Sequence, residues 1–290
     1  MISGYEYIIS KQIQWANNRN IPLIGSKGER GRPTYTHDLD QNLFEPLLEE
    51  NENQFKGGNG QEILSSQDSP AKMQCLHSSS ALGVNLFQYW QKRGLINEIA
   101  SACGFCNRTS NYSECIVFEK KFDIKPEFII PPHLDVVFHN NDSSPYKLFA
   151  VECKFSESYG GRAHGGLKSK YLDDISLWTD LSSLEKLAHE INPDDNRYTY
   201  LHAAQLIKHI LGLKARRVGK EKFRLLYLWY DVLGKDGAIH REEVEDFTKI
   251  AKSDGVRFHA MTYQELINIL DRYYRDDHPE YIKYLTERYI

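Results

Sequence analysis

Two periods of apolar and polar positions run along this chain, and the clearest signals lie in its second half. Residues 223–230, FRLLYLWY, form a near-continuous apolar run, the pattern of a strand buried on both faces. Two shorter runs rich in Val and Phe, 133–139 and 147–155, flank the turn-forming cluster Asn140-Asn141-Asp142-Ser143-Ser144-Pro145 and predict a β-hairpin. Residues 114–122 predict a strand leading into that hairpin, and 256–260 a short strand further on. Helical spacing places Tyr5, Ile8, Ile9, Ile13 and Trp15 on one side of a helix over 4–19. A second helix spans 79–93, with serines at its start and Gly94 at its end. The stretch 200–213 turns Ala203, Leu206, Ile207, Ile210 and Leu213 inward, and 242–253 is amphipathic through Val244, Phe247, Ile250 and Ala251. Thr262 and Glu265 spell a capping box for a helix through Ile269 and Leu270, and Pro279 opens the last helix. Gly, Pro and polar clusters dominate before residue 77, so 1–76 reads as a loop-rich segment packed on a core made by 77–290.

Size and charge narrow the class. With 290 residues, 41% of them hydrophobic, the chain can bury a sizeable core. A net charge of −4 does not announce a nucleic-acid binder, but between Lys208 and Arg224 seven Lys or Arg face one acid, Glu221. Such a patch, with Lys208, Arg216, Arg217 and Lys220 in it, can attract phosphate even on an acidic protein. The five cysteines are too few and too unevenly spaced for a disulfide scaffold, which favours a reduced, cytoplasmic setting. Cys103 and Cys106 form a C-x-x-C without the second pair a zinc site needs, and read as ordinary thiols. Neither a secretory leader nor a run of 18 apolar residues is present, so no membrane partner is expected.

The candidate chemistry sits on the hairpin. If the strands pair about Ser143, Asp135 falls opposite Glu152, while side-chain alternation puts Glu152 and Lys154 on one face and Cys153 on the other. Two carboxylates and an ammonium then share one patch of a strand pair that otherwise looks buried, and buried charges are costly unless they pair or hold a metal. E-x-K by itself is a weak signal, because Glu119-Lys120-Lys121 matches it too. A salt-bridged hairpin is the plain alternative. Glu62 follows the flexible turn Gly57-Gly58-Asn59-Gly60, as either a functional carboxylate or a helix-start acid. The Gly-rich loop after the hairpin carries Arg162, Lys168 and Lys170, matches no phosphate-binding fingerprint and reads as a DNA-contacting segment. Gln205, Lys208 and His209 form a polar stripe along the helix over 200–213.

The pattern D-(x16)-E-x-K on a hairpin resembles the PD-(D/E)xK nuclease superfamily, with Leu134-Asp135 in place of Pro-Asp. The blocks GGNGQEI, AKMQCLHSSSALGVNLFQYW, HLDVVF, VECKF, AAQLIKHILGL, FHAMTYQEL and YIKYLTERYI resemble, more narrowly, a bacterial family of restriction endonucleases. The resemblance implies an α/β fold, a restriction-endonuclease-like core with a central mixed β-sheet flanked by helices. It implies Mg²⁺, with Mn²⁺ as a substitute, held by Asp135, Glu152 and the carbonyl of Cys153, and Lys154 assisting the attacking water. It places a glutamine beside the scissile phosphate, which maps to Gln205, and a third acid at Glu62 with Glu119 as the alternative. Double-stranded DNA is the implied partner, with room for a homodimer and an associated methyltransferase. A nuclease-like module that binds DNA or protein without cutting is the competing class. A hydrolase of another kind has no nucleophile elbow, Walker loop or zinc quartet to support it.

Overall fold

The computed structural model describes residues 2–24, 33–58, 62–66, 69–161, 163–215 and 219–290. The helices are α1 (Gly4–Asn18), α2 (Glu49–Gly57), α3 (Ser79–Lys92), α4 (Ile96–Ala102), α5 (Ser169–Leu172), α6 (Ser182–Glu190), α7 (Ala203–Ala215), α8 (Lys235–Ser253), α9 (Tyr263–Tyr274) and α10 (Pro279–Tyr289). The strands β1 (Ser113–Lys121), β2 (His133–Asn140), β3 (Leu148–Lys154), β4 (Phe223–Trp229) and β5 (Phe258–Thr262) make one sheet in that order. β1, β2 and β3 are antiparallel neighbours, whereas β3, β4 and β5 run parallel. The expected mixed sheet flanked by helices is therefore present.

Each parallel pair needs a crossover, and α7 and α8 supply them. Every residue from Leu148 to Cys153 is buried, as a central strand with helices on both faces requires. One core cluster lies under α1, α3, α4, α9 and α10, the other under α5 to α8. Ile8, Trp15, Leu43, Phe55 and Met73, all before residue 77, join the first cluster together with α3 and the sheet.

Local chemistry explains most element ends. Ser78 caps α3 by accepting the Ala81 N–H at 3.2 Å, and the Thr262–Glu265 capping box starts α9 as the sequence predicts. α8 begins seven residues earlier than the expected 242. Its first turn is polar, and a Cβ at Gly237 would meet the Val232 carbonyl oxygen at 1.8 Å, so the turn packs on backbone that only glycine admits. α2, α4 and α6 fall where the apolar spacing predicts no helix; α2 buries only Asn51 and Phe55. No described helix is long and apolar enough to cross a membrane.

Candidate active site

The hairpin register matches expectation over its paired length: Val136 faces Val151 and Phe138 faces Phe149. One step beyond, at Asp135 and Glu152, the backbone pairing has ended, and a side chain takes over where the ladder stops. Asp135 Oδ2 accepts the backbone N–H of Cys153 at 2.6 Å. Within a strand, the N–H and C=O of one residue point to the same side. The Cys153 carbonyl is therefore turned toward β2 as well, while its thiol lies buried near Gly83 of α3 and beside Tyr263.

Glu152 is 1% exposed and has a basic side chain at each oxygen, Lys154 at one and His209 at the other. Lys154 Nζ donates to Oε1 at 2.5 Å, and His209 Nε2 lies 2.8 Å from Oε2. The second contact has ion-pair distance but not hydrogen-bond alignment, so Oε2 and both nitrogens of His209 lack an aligned partner among the described residues. Burial pushes the Glu152 carboxyl up, but Lys154 and then His209 outweigh it and hold it down to about 2. Burial lowers the Lys154 ammonium, yet Glu152, Glu157 and Asp135 together lift its pKa above the ordinary lysine value. Half-buried Asp135 goes the other way. Burial, reinforced by the charge of Glu152, drives its carboxyl well above the aspartate range.

Glu119 of β1 adds to this repulsion. Phe118 pairs with Val136 and Lys120 with Leu134, which leaves Glu119, at φ 51°, across from Asp135. A positive φ is strained for a glutamate and recurs at functional sites. The twist shows in β2 as well: Leu134 packs in the α7-side core and Val136 in the α3-side core, so strict alternation breaks at Asp135. Glu119 Oε2 is 3.6 Å from His133 Nδ1, and its charge also reaches Glu62. Glu62 accepts from Ser80 Oγ at 3.2 Å, has Lys72 Nζ at 3.6 Å, and is raised chiefly by burial. Both candidates for the third acid thus belong to one acidic row running from Asp135 through Glu119 to Glu62. A cleft of about 770 Å³ is lined by Glu62, Lys72, His77, Ser156 and Glu157; Asp135, Glu152 and Lys154 do not line it.

On the other side of Glu152, α7 brings in imidazoles and an ammonium. A Cβ at Gly212 would stand 2.8 Å from Pro132 and 3.0 Å from Phe122, so glycine lets α7 close on the loop before β2. This seats His209 on Glu152. Gln205 lies one turn earlier, about 5.4 Å along the axis. His202 stacks on His164 at 4.7 Å, and burial, followed by the charges of His164, Lys154 and Lys208, lowers it to about 4. Burial also lowers Lys208, whose field reaches Glu152 and Lys168.

Among the described residues, the basic side chains after Lys208 in this stretch do not gather here. Lys220 donates to the Asp180 carbonyl at 2.7 Å, Lys214 to those of Leu177 and Thr179, and Arg224 to that of Phe105 at 2.5 Å. These residues adjoin the start of β4, where Phe223 is level with Leu148. That is six residues, or about 20 Å of strand, before Lys154. Arg162, Arg216 and Arg217 lie outside the described residues. Of the described basic residues, Lys208 lies toward Glu152 with Lys168 beside it, whereas Lys220 lies toward the start of β4. His209 is the site residue that sequence reasoning named only as part of a stripe; its i+4 spacing from Gln205 was the available signal.

Among the described residues, no three His, Cys, Asp or Glu side chains converge as a ready-made metal cage. The donor set nonetheless fits a hard divalent cation, which takes one or two carboxylates and keeps its remaining positions for water and phosphate. Burial, reinforced by the charges of Glu152 and Glu119, holds the Asp135 carboxyl well above the aspartate range, and Glu152 Oε2 is buried without an aligned donor among the described residues. Positive charge placed between them relieves both conditions.

A mixed sheet flanked by helices, with two acids and a lysine on its central hairpin, defines a protein of the restriction-endonuclease-like class. Residues 10–290 match the family described as Restriction Endonuclease associating with ARP, and the chain belongs to that family. This supports a nuclease or defence role. No curated protein and no solved structure matches the chain.

Proposed function

We propose that this protein is a Mg²⁺-dependent DNA endonuclease that hydrolyses phosphodiester bonds in double-stranded DNA, as a restriction-type or other defence nuclease of the cytoplasm. The observation that carries the reading is the joining of Asp135 to the Cys153 backbone beside a Glu152 already gripped by Lys154. Asp135 and Glu152, with the Cys153 carbonyl turned to the same side, would hold Mg²⁺, or Mn²⁺ in its place. Bound there, the cation supplies Lewis acidity that makes water nucleophilic near neutral pH and offsets charge building on the phosphate.

The chain's own residues do the positioning. Lys154 keeps its proton, because three carboxylates raise its pKa, so it serves as a fixed positive charge and hydrogen-bond donor rather than a base. His209 props the far oxygen of Glu152, and Asp135 keeps its orientation through the Cys153 N–H. Lys208 and Lys168 supply positive potential for the strand, Gln205 reaches toward the scissile phosphate, and Glu62 or Glu119 serves as the third acid. The family description names an associating partner, ARP, and we extend that association to this chain; a homodimer or a paired methyltransferase is compatible with it.

A second reading, a nuclease-like module that binds without cutting, is favoured by the closure of Glu152, which is 1% exposed with Lys154 against one oxygen and His209 against the other. Incubation of supercoiled and linear DNA with the protein in Mg²⁺, in Mn²⁺ and in EDTA, beside Asp135→Asn, separates the two. Cleavage that needs metal and Asp135 is the expected result. Retained DNA binding with no cleavage in either metal would overturn the nuclease reading in favour of the binding module.

A further inference from the structure

A recess far from Glu152 has the chemistry of a second site. Residues 101–108, at the end of α4, and residues 269–274, at the end of α9, enclose about 330 Å³. Its neighbourhood marks it as the other end of the sheet. Phe105 stacks on Phe149 near the start of β3, at 4.7 Å and 3° between planes, and His259 near the start of β5 meets the Cys103 carbonyl at 2.9 Å.

Among the described residues, two arginines and no acid line the recess. Arg108 and Arg272 both line it, and neither forms an ion pair with a carboxylate among the described residues. The acid nearest to Arg272 in the chain, Asp271, is already taken: Arg275 forks onto it with Nε to Oδ1 at 2.6 Å and Nη2 to Oδ2 at 2.5 Å. Two guanidiniums without carboxylate partners form a paired-donor surface for phosphate. The remaining walls are aromatic and apolar. Arg108 lies over the Tyr273 ring at 4.2 Å, Tyr273 is 44% exposed, and Tyr274 is pinned edge-on to Trp90 at 5.0 Å. Ile269 completes that wall, with Asn107 as a polar contact. A flat heterocycle stacks on such a surface. A volume of about 330 Å³ is at the small end of the range for ligand sites, the size of a single nucleotide rather than a helical duplex.

We infer that the recess between α4 and α9 binds a nucleotide, its phosphate on Arg108 and Arg272 and its base against Tyr273. The site shares no residue with the proposed nuclease centre and stands whether or not that centre cuts DNA. A free nucleotide and the 5′-phosphorylated end of a strand present the same chemistry.

The test is calorimetric titration of the full chain with ADP, with a short 5′-phosphorylated oligodeoxynucleotide, with adenosine and with pyrophosphate. ADP or the oligonucleotide binds with Kd below about 1 mM, and whichever binds tighter identifies the source. Adenosine binds at least about tenfold more weakly, for want of the charged hydrogen bonds. Arg108→Gln with Arg272→Gln lowers the affinity by the same factor or more. Tyr273→Ala weakens ADP but leaves pyrophosphate unchanged, and it keeps the inference testable if the double variant folds poorly. Asp135→Asn binds as the wild type does. The inference is overturned if neither phosphorylated probe binds. It is overturned equally if the folded arginine variant binds as tightly as wild type, or if Asp135→Asn abolishes binding.

Discussion

Two buried charge clusters in this molecule follow opposite rules. Arg288 is 0% exposed and has no acid among its partners in the described residues, yet its guanidinium is satisfied. It donates to Gln12 Oε1 at 3.0 Å, Asn42 O at 2.8 Å, Leu76 O at 3.1 Å, Tyr284 Oη at 2.5 Å and the Asn42 side chain, and it lies over Trp15 at 4.1 Å. It ties the last helix to the first helix and to the loops that precede α3. The cluster at Asp135, Glu152 and Lys154 buries Glu152 as deeply, with Asp135 and Lys154 partly buried around it, but it leaves Glu152 Oε2 and both His209 nitrogens without aligned partners among the described residues and forces Asp135 against two other acids. A buried charge whose donors are all used supports the fold. One kept in a mismatched field is poised to take a ligand, and perturbed titration of this kind clusters at functional sites.

The largest expected effects break the comparison at its two centres. Arg288→Met leaves several carbonyls buried without donors and should cost about 3 kcal/mol or more, while folded molecules cleave DNA as before. Glu152→Gln strips the buried Lys154 ammonium of its counter-charge and His209 of its carboxylate neighbour and should cost about 3–5 kcal/mol, and it also abolishes metal-dependent cleavage. Urea unfolding combined with single-turnover cleavage distinguishes them. Equal loss of cleavage in both variants, after correction for the folded fraction, contradicts the contrast.

Lys154 sharpens the functional side. As a fixed cation acting on charge that develops during reaction, its replacement by alanine should slow single-turnover cleavage about 10²- to 10³-fold. DNA affinity measured in Ca²⁺ should change far less. A wild-type rate under saturation would reduce the hairpin to a salt-bridged strand pair.

Asp135 and Glu152 should show opposite pH signatures. The folded pKa of Asp135 is raised, so its favourable contribution is complete below the ordinary aspartate value of 3.8 and is lost as pH rises through the folded value. Above 3.8 the burial and acidic neighbours that raise its pKa oppose folding, so Asp135→Asn should melt a few degrees higher than wild type at neutral pH without metal, on the scale of about 2–4 °C per kcal/mol. The gap closes toward pH 4. Glu152, held at about 2, contributes stability above its ordinary value of 4.5 that is lost as pH falls toward 2. Melting curves of wild type and both variants across that range check the signs; a less stable Asp135→Asn at neutral pH would contradict the repulsion described here.

The smallest effect concerns the DNA track. Lys208→Gln or Lys168→Gln should each flatten the log–log salt dependence of DNA binding by about 0.9 if it removes one phosphate contact. Lys220→Gln, at the far end of β4 and already bonded to the Asp180 carbonyl, should leave the slope unchanged.

The legible parts of the site were those that local chain geometry controls. The hairpin register follows from two short apolar strands around one polar turn, so the spacing of Asp135 from Glu152 sets their opposition before any tertiary contact forms. The α3 and α9 boundaries follow from side-chain caps a few residues away. The His209 contact was not legible, because almost fifty residues separate α7 from β3 and no periodicity records how far the helix descends onto Pro132. The scattering of Lys208, Lys214, Lys220 and Arg224 was hidden for the same reason: closeness in sequence puts charges on one helix and loop, but the helix axis carries them to opposite ends of the sheet.

The sequence by itself determined the alternating strands, the capped helices, the acid–acid–lysine pattern and the family to which they belong, since these depend on neighbours within a turn or a hairpin. Only the tertiary structure decided which acids repel one another, that Glu119 sits at positive φ beside Asp135, and which imidazole leans on Glu152. Those outcomes depend on burial and on a few ångströms between elements distant in the chain. At low effective dielectric such distances set the energy of a charge, and no local pattern encodes them.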